Sequence, residues 1–359
     1  MSFLKIENLQ VDLKEFRLKG ISFSLNKGEY LTIIGPTGAG KTILLESIIG
    51  FHEPLAGKIT LAGKDITKNL PEERRMGIVY QDYALLPHFT IRNNIEYGLT
   101  KKFGKGNPSI PERVEKLSEA LNISHLLERK PGTLSGGEQQ RSAIARALAV
   151  EPQVLLMDEP LSALDPQTRK RTRRLLKKII SEAGITVIHI THDMEDAWVF
   201  ADKVSVLKDG EQLQFGTVDE IFHRPSCRFT ADFVGTSLYP GIVEKCDLCS
   251  ATVNINGLRL CSKDCAVPVM SCVDVAIRPE HISLSDIYPG EIPYHNIIPT
   301  KLIEIMEEGS TCTGFLSCKD TVFEAQFDRT RADALRKRVG SRLYATVKND
   351  NVRLLQKSD

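Results

Sequence analysis

The stretch Gly35, Pro36, Thr37, Gly38, Ala39, Gly40, Lys41 and Thr42 limits the folds open to this chain more than any other. It follows an apolar run, Tyr30 to Ile34, and opens into another at helical length, Ile43 to Ile49. A G-x-x-x-x-G-K-[ST] loop between a strand and a helix belongs to a parallel α/β sheet. Its glycines let the backbone curl so that successive N–H groups and the positive helix end face a polyphosphate. Lys41 then reaches phosphate oxygens and the Thr42 hydroxyl serves Mg²⁺, and the nucleotide-binding stretch is expected to run from Gly35 to Ile43. An incidental glycine turn is the competing reading, and the strand-to-helix context weighs against it.

A second apolar run, Val154 to Met157, ends in Asp158 and Glu159. Asp158 suits the surroundings of a magnesium ion, and Glu159 is placed to polarise a water for in-line attack on a γ-phosphate. An acidic pair after a strand is ordinarily a solvated loop; its coexistence with the phosphate loop reverses that expectation.

At 359 residues the chain is long enough for about two domains. Lys and Arg total 47 against 46 Asp and Glu, a formal net charge of +1, which does not favour a polybasic nucleic-acid binder. The longest stretch free of charged residues is 11, too short for a membrane-crossing helix. The first residues meet acidic side chains early and carry no apolar core of a signal peptide, so the cytoplasm is the expected compartment. All 8 cysteines fall from Cys227 onward, giving the two halves different character.

Up to residue 235, strand-like runs alternate with helical periodicity, which predicts a parallel sheet wrapped by helices. Between about 82 and 133 the pattern is mostly helical and reads as an inserted subdomain. From 236 to 359 the period becomes 2, with Asn256 and Gly257 between two alternating runs as a hairpin turn. A smaller all-β, OB-like domain follows. Leu238 to Glu244 faintly echoes Ile297 to Glu304, which suggests a duplicated β unit.

Leu134, Ser135, Gly136, Gly137 and Glu138, followed by Gln139, Gln140 and Arg141, resemble the signature motif of the nucleotide-binding subunits of ATP-binding cassette transporters. The resemblance makes the fold a P-loop NTPase of ABC type, with ATP and Mg²⁺ as cofactors. It also implies that Gln81 is the Q-loop residue, Asp165 the D-loop aspartate and His192 the switch histidine. Catalysis would rest on Glu159, His192 and Gln81, and magnesium on Thr42, Gln81 and Asp158. By the same resemblance Phe16 would be the A-loop platform for adenine, with a core phenylalanine as the competing reading. A helix starting near Arg141 is expected after the signature. In the family the signature serves a neighbour's nucleotide, so two chains pair head to tail. A solvated face is expected for the basic helix that carries Arg169 and Arg173.

The resemblance also implies a membrane permease dimer as partner, docking at exposed Tyr83, Leu85 and Leu86, and indirectly an extracellular solute-binding protein. The protein would sit peripherally on the cytoplasmic face of the membrane, without nucleic acid. The stretch Gly216 to Pro225 and the string Ala276 to Glu280 look like importers carrying a C-terminal regulatory (TOBE) domain, and the loop motifs resemble the molybdate and tungstate branch. In that branch the tail senses the oxyanion. Candidates here are His295, Asn296, Gly309, Ser310 and Thr311, with turns between strands as the competing reading. Sugar, sulfate, polyamine or iron import remains the alternative, as does a soluble cassette acting on nucleic acid or ribosomes, or a tail that stores oxyanion. Cys246, Cys249, Cys261 and Cys265 approximate a zinc site, but the second spacing is off-pattern, so packed free thiols are expected instead.

Overall fold

A computed structural model describes residues 2–309 and 311–356. The chain divides between Val218 and Asp219 into two compact units. In the first, β1 (Leu4–Asp12) and β2 (Arg17–Leu25) form a hairpin, and β3 (Tyr30–Ile34) leads through the glycine loop into α1 (Lys41–Ile49). β4 (Ala56–Leu61) and β5 (Lys64–Asp65) return to the first sheet, whose order is β2-β1-β4-β5. β6 (Met76–Val79) precedes the helical insertion, α2 (Ile91–Phe103) and α3 (Ser109–Ala120), and then α4 (Gly136–Ala149). β7 (Val154–Asp158), α5 (Pro166–Ala183), β8 (Thr186–Ile190), α6 (Met194–Phe200), β9 (Lys203–Lys208) and β10 (Glu211–Thr217) complete a six-stranded sheet of order β10-β9-β3-β8-β7-β6. Only its β9–β10 hairpin is antiparallel.

Every residue of β3, β7 and β8 is buried, as expected of strands covered on both faces. Side-chain alternation sends Val154 and Leu156 into a core with α1 and the first sheet, while Leu155 and Met157 join the helical insertion through Ile95, Val114 and Ile144. The insertion therefore has no core of its own. Ile190 pairs with both Ile33 and Asp158, so the segments after Ile34, Asp158 and Ile190 leave the sheet at one carboxyl edge. In open α/β sheets that edge is where ligands bind.

The division falls after the first residue of α7 (Val218–His223), and the second unit takes the rest of that helix and α8 (Arg228–Phe233). These lie N-terminal to the boundary expected at 235, yet they belong here physically. Ala231 packs with Ala276 and Leu355, Arg228 pairs with buried Asp274 at 3.1 Å, and Arg278 donates to the Phe222 carbonyl. β11 (Ser237–Cys246), β12 (Ala251–Ile255) and β13 (Leu258–Ser262) form a meander, followed by β14 (Cys272–Ile277) and β15 (Ser283–Ser285). β16 (His295–Glu308), β17 (Thr311–Cys318) and β18 (Thr321–Asp328) form another, followed by α9 (Arg329–Arg336), β19 (Arg342–Lys348) and β20 (Arg353–Gln356). Two five-stranded antiparallel sheets result, β13-β12-β11-β14-β20 and β15-β19-β16-β17-β18. The echoed sequences form β11 and β16, the central strand of each. The outermost strands are exchanged: β15, after β14, joins the second sheet, and β20, after β19, joins the first.

Candidate functional site

The loop before α1 can be built only with glycine at two critical points. A Cβ on Gly35, at φ +155°, would lie 2.2 Å from the Leu207 carbonyl oxygen. One on Gly40, at φ +92°, would lie 2.5 Å from the Phe16 ring. Gly40 caps α1, whose first residues are Lys41 and Thr42. Lys41 Nζ donates to the carbonyls of Gly35 and Pro36 at 2.8 and 2.9 Å. Burial pushes its pKa down, against the opposing pull of Glu159 and Asp158. Phe16 is half-buried beside this loop, in contact with the core below it.

Thr42 Oγ1 donates to Asp158 Oδ2 at 2.8 Å, linking the helix to the end of β7. Burial raises the Asp158 pKa, with the Thr42 hydrogen bond opposing. A hydroxyl and a carboxylate at the mouth of an anion-binding loop are the hard oxygen donors that Mg²⁺ takes, so these residues fit a magnesium–nucleotide complex. Glu159 has φ +44°, an uncommon conformation for a non-glycine residue, held by its N–H on the Ile190 carbonyl. His192 Nδ1 lies 3.1 Å from Glu159 Oε2. Gln81, Asp158, Glu159, Ser162 and His192 line one open pocket of about 710 Å³. Three separate loops thus bring their candidates together. His189, by contrast, is fully buried against Tyr30 and Phe200, and burial depresses its pKa to about 3.

The helix expected from Arg141 begins five residues earlier, at Gly136, because Ser135 caps it. Glu138 Oε2 accepts from both the Ser135 N–H and hydroxyl at 2.8 Å, and these bonds hold its pKa low. A Cβ on Gly137 would lie 3.2 Å from Thr168 and 3.3 Å from Leu164, which brings the signature turn against the Asp165 loop. Asp165 caps α5 through the N–H groups of Gln167 and Thr168. Gln140, fully buried, donates to the Pro160 carbonyl beside Glu159.

Several expectations need correction. Tyr83 is only 7% exposed: it joins the core that the helical insertion shares with β7, and Arg146 holds its carbonyl and that of Ala84. Leu85 and Leu86 are half-buried, so the apolar socket is shallower than the sequence suggested. The basic face of α5 is not uniformly solvated. Arg173 is 4% exposed and pairs with Asp193, Glu195 and Asp196, and Arg169 bonds to loop carbonyls. The spacing of these two arginines with buried Thr172, Leu176 and Ile180 was the available signal.

The oxyanion candidates do not form one site within a chain. Asn296 and Thr311 lie toward opposite ends of β16: Thr311 pairs with Glu308 and Asn296 with Val347 of β19, up to about 40 Å apart along the strand at roughly 3.3 Å per residue. The Asn296 amide is committed to Cys261 N and O and to Asn349, and His295 Nδ1 to the Pro293 carbonyl. Ser310 lies outside the described residues. The cysteines expected to pack are instead exposed at Cys249, Cys261 and Cys265 and half-buried at Cys246. Other residues were missed altogether. Arg74 caps the end of α1 through the Ser47 and Ile48 carbonyls, and Asn94 ties down the Leu86 backbone.

Residues 18–162 match the family model described as ABC transporter. The molybdate/tungstate import ATP-binding protein of Thermococcus kodakarensis is 45% identical over 79% of this chain and 83% of its own length. Its counterpart in Pyrococcus abyssi is 38% identical over 98% of this chain and 99% of its own. Relatives named for sn-glycerol-3-phosphate and spermidine/putrescine import are also similar. A solved dimeric ATP-binding cassette, in a post-hydrolysis state with ADP and Pi, is 32% identical over 60% of this chain and 98% of its own, with a TM-score of 0.54. The phosphate loop, the paired carboxylates and these likenesses agree: the chain belongs to the ATP-binding subunits of ABC importers, ATPases that use ATP and Mg²⁺ to drive solute uptake.

Proposed function

We propose that this chain energises the import of molybdate or tungstate, hydrolysing ATP at the carboxyl edge of the first unit. The observation that carries the chemistry is the convergence of the Thr42–Asp158 hydrogen bond and the His192–Glu159 contact on one edge. Gly35 to Ile43 cradle the phosphates, Lys41 exchanging its loop carbonyls for phosphate oxygens, and Phe16 flanks the base. Thr42, Gln81 and Asp158 hold Mg²⁺, which neutralises charge developing on the phosphates. Glu159 takes the proton of the attacking water as its oxygen bonds to the γ-phosphorus. The bond to the bridging oxygen breaks, and ADP and phosphate leave. His192 fixes that water or the γ-phosphate from the other side of the pocket.

Two copies pair head to tail, so that Ser135, Gly136, Gly137 and Glu138 of one close over the nucleotide of the other. The N-terminal end of α4 supplies the positive dipole for this. The pair works peripherally on the cytoplasmic face of a permease dimer fed by an extracellular solute-binding protein, with Leu85 and Leu86 at the docking surface. No helix among the described residues is long and apolar enough to cross a membrane.

The cargo assignment leans on the Pyrococcus relative, whose likeness runs through the second unit as well as the first. That unit senses cytoplasmic oxyanion and slows the ATPase. Isothermal titration of the full chain tests this: heat with molybdate or tungstate, and none with sulfate, spermidine or glycerol 3-phosphate, is expected. Equal silence with all five removes the sensing role. ATPase rates of the assembled transporter with each cargo test the import assignment separately.

A further inference from the structure

We propose that Arg169 is a positioning residue that ties the loop Ser162–Asp165 to His192, so that a shift of that loop moves the switch histidine. This rests on the reading of His192 above.

Arg169 lies one helical turn into α5, and its backbone N–H returns to the Asp165 carbonyl at 2.8 Å. Its guanidinium spends two bonds on the loop, Nη2 to the carbonyls of Ser162 and Leu164, and a third on the residue that enters it, Nε to the Leu161 carbonyl, each at 3.1 Å. The remaining arm, Nη1, reaches Asp193 Oδ2 at 3.2 Å. Asp193 follows His192 directly. Its other oxygen, Oδ1, caps α6 through Glu195 N at 2.8 Å, and its own N–H is held by Thr191 Oγ1 at 3.0 Å. The backbone on both sides of His192 is thereby fixed, while the imidazole stays 61% exposed in the pocket. Arg173 shares Asp193 Oδ2 at 3.2 Å but otherwise meets Glu195 and Asp196, so it anchors α6 and does not touch the loop. Among the described residues, Arg169 is thus the side chain that bonds to both segments.

A guanidinium is planar, and its donors point in fixed directions. If the carbonyls of Leu161, Ser162 and Leu164 move together, the fork turns and carries the Asp193 carboxylate with it. A lysine, with one nitrogen, cannot hold three carbonyls and a carboxylate at once. The signature turn, through Gly137, abuts the same loop at Leu164 and α5 at Thr168. Closure of a neighbouring chain on these surfaces therefore has a route to His192.

The test is a double-mutant cycle on the full chain, reading single-turnover ATP hydrolysis and equilibrium ATP affinity for Arg169→Met, His192→Ala and both together. Arg169→Met should slow hydrolysis by about 10- to 100-fold with affinity changed less than about 2-fold. In the His192→Ala background it should add less than about 2-fold. Arg169→Lys should not restore the rate. Full multiplication of the two effects, a wild-type rate in Arg169→Met, or rescue by lysine overturns the proposal. Wild-type hydrolysis by His192→Ala alone instead overturns the underlying reading, and is seen without any arginine variant. Should Arg169→Met unfold or lose ATP binding, Asp193→Asn decides by the same criteria, since it keeps a capping oxygen for α6 and loses the charge that Arg169 meets.

Discussion

His192 Nδ1 lies 3.1 Å from Glu159 Oε2, although the two residues follow different strands, β8 and β7. Their meeting follows from register, because Asp158 pairs with Ile190 and the next residues turn into the same pocket. A carboxylate there removes a proton; a carboxamide does not. Glu159→Gln should lower phosphate release by about 100-fold or more while leaving ATP affinity nearly unchanged. Parallel binding titrations and phosphate-release assays check both halves.

Arg74 is buried, and its guanidinium serves four carbonyls, those of Ser47, Ile48, Thr67 and Asn69. Two of them end α1, where a cation also meets the negative end of the helix dipole. Arg74→Met leaves these acceptors unpaired and should cost about 3 kcal/mol of stability, read as a shift of the urea unfolding midpoint.

His189 carries a pH signature. Burial depresses its pKa to about 3, so the folded chain keeps it neutral while the unfolded chain protonates it near 6.5. Its contribution is complete above about 6.5 and falls away as pH drops toward about 3, at about 1.4 kcal/mol per unit. Between pH 7.5 and pH 5 the protein should lose about 2 kcal/mol through this residue. His189→Gln, which keeps a partner for the Tyr30 hydroxyl at that position, should lose that much less over the same interval in urea titrations.

Thiol reactivity should sort by burial. Cys249, Cys261, Cys265 and Cys272 are exposed and should react with a disulfide reagent within the mixing phase. Cys312 and Cys318 are buried in the second unit, and burial pushes the Cys318 thiol up, so both should wait for denaturant. A stopped-flow count of early and late thiols reads the difference.

The capping pair at Ser135 and Glu138 went unread, and α4 starts five residues before Arg141, but the turn from β3 into α1 and the acidic end of β7 were legible because each sits in a short string whose geometry depends on local context: glycines before Lys41 and an apolar strand before Asp158. The hairpin at Asn256 and Gly257 was legible for the same reason, its flanking residues Ile255 and Leu258 pairing as expected. Properties set by distant partners were not. Tyr83 looked exposed, yet it is buried in the core shared with β7, and its carbonyl is held by Arg146, sixty-three residues away. Arg173 looked solvated until Asp196 came to meet it from α6. Asn296 and Thr311 looked like parts of one site until strand pairing placed them toward opposite ends of β16, Asn296 against β19 and Thr311 against Glu308.

Whether the signature turn acts on a neighbour's nucleotide is settled most directly by the ATP that Glu159→Gln retains through rapid gel filtration, measured with radiolabelled nucleotide with and without Ser135→Glu. Retention near one ATP per chain, lost when the acid is added although the Lys41 loop is untouched, is the outcome expected. Equal retention by the double variant would contradict the paired, head-to-tail account.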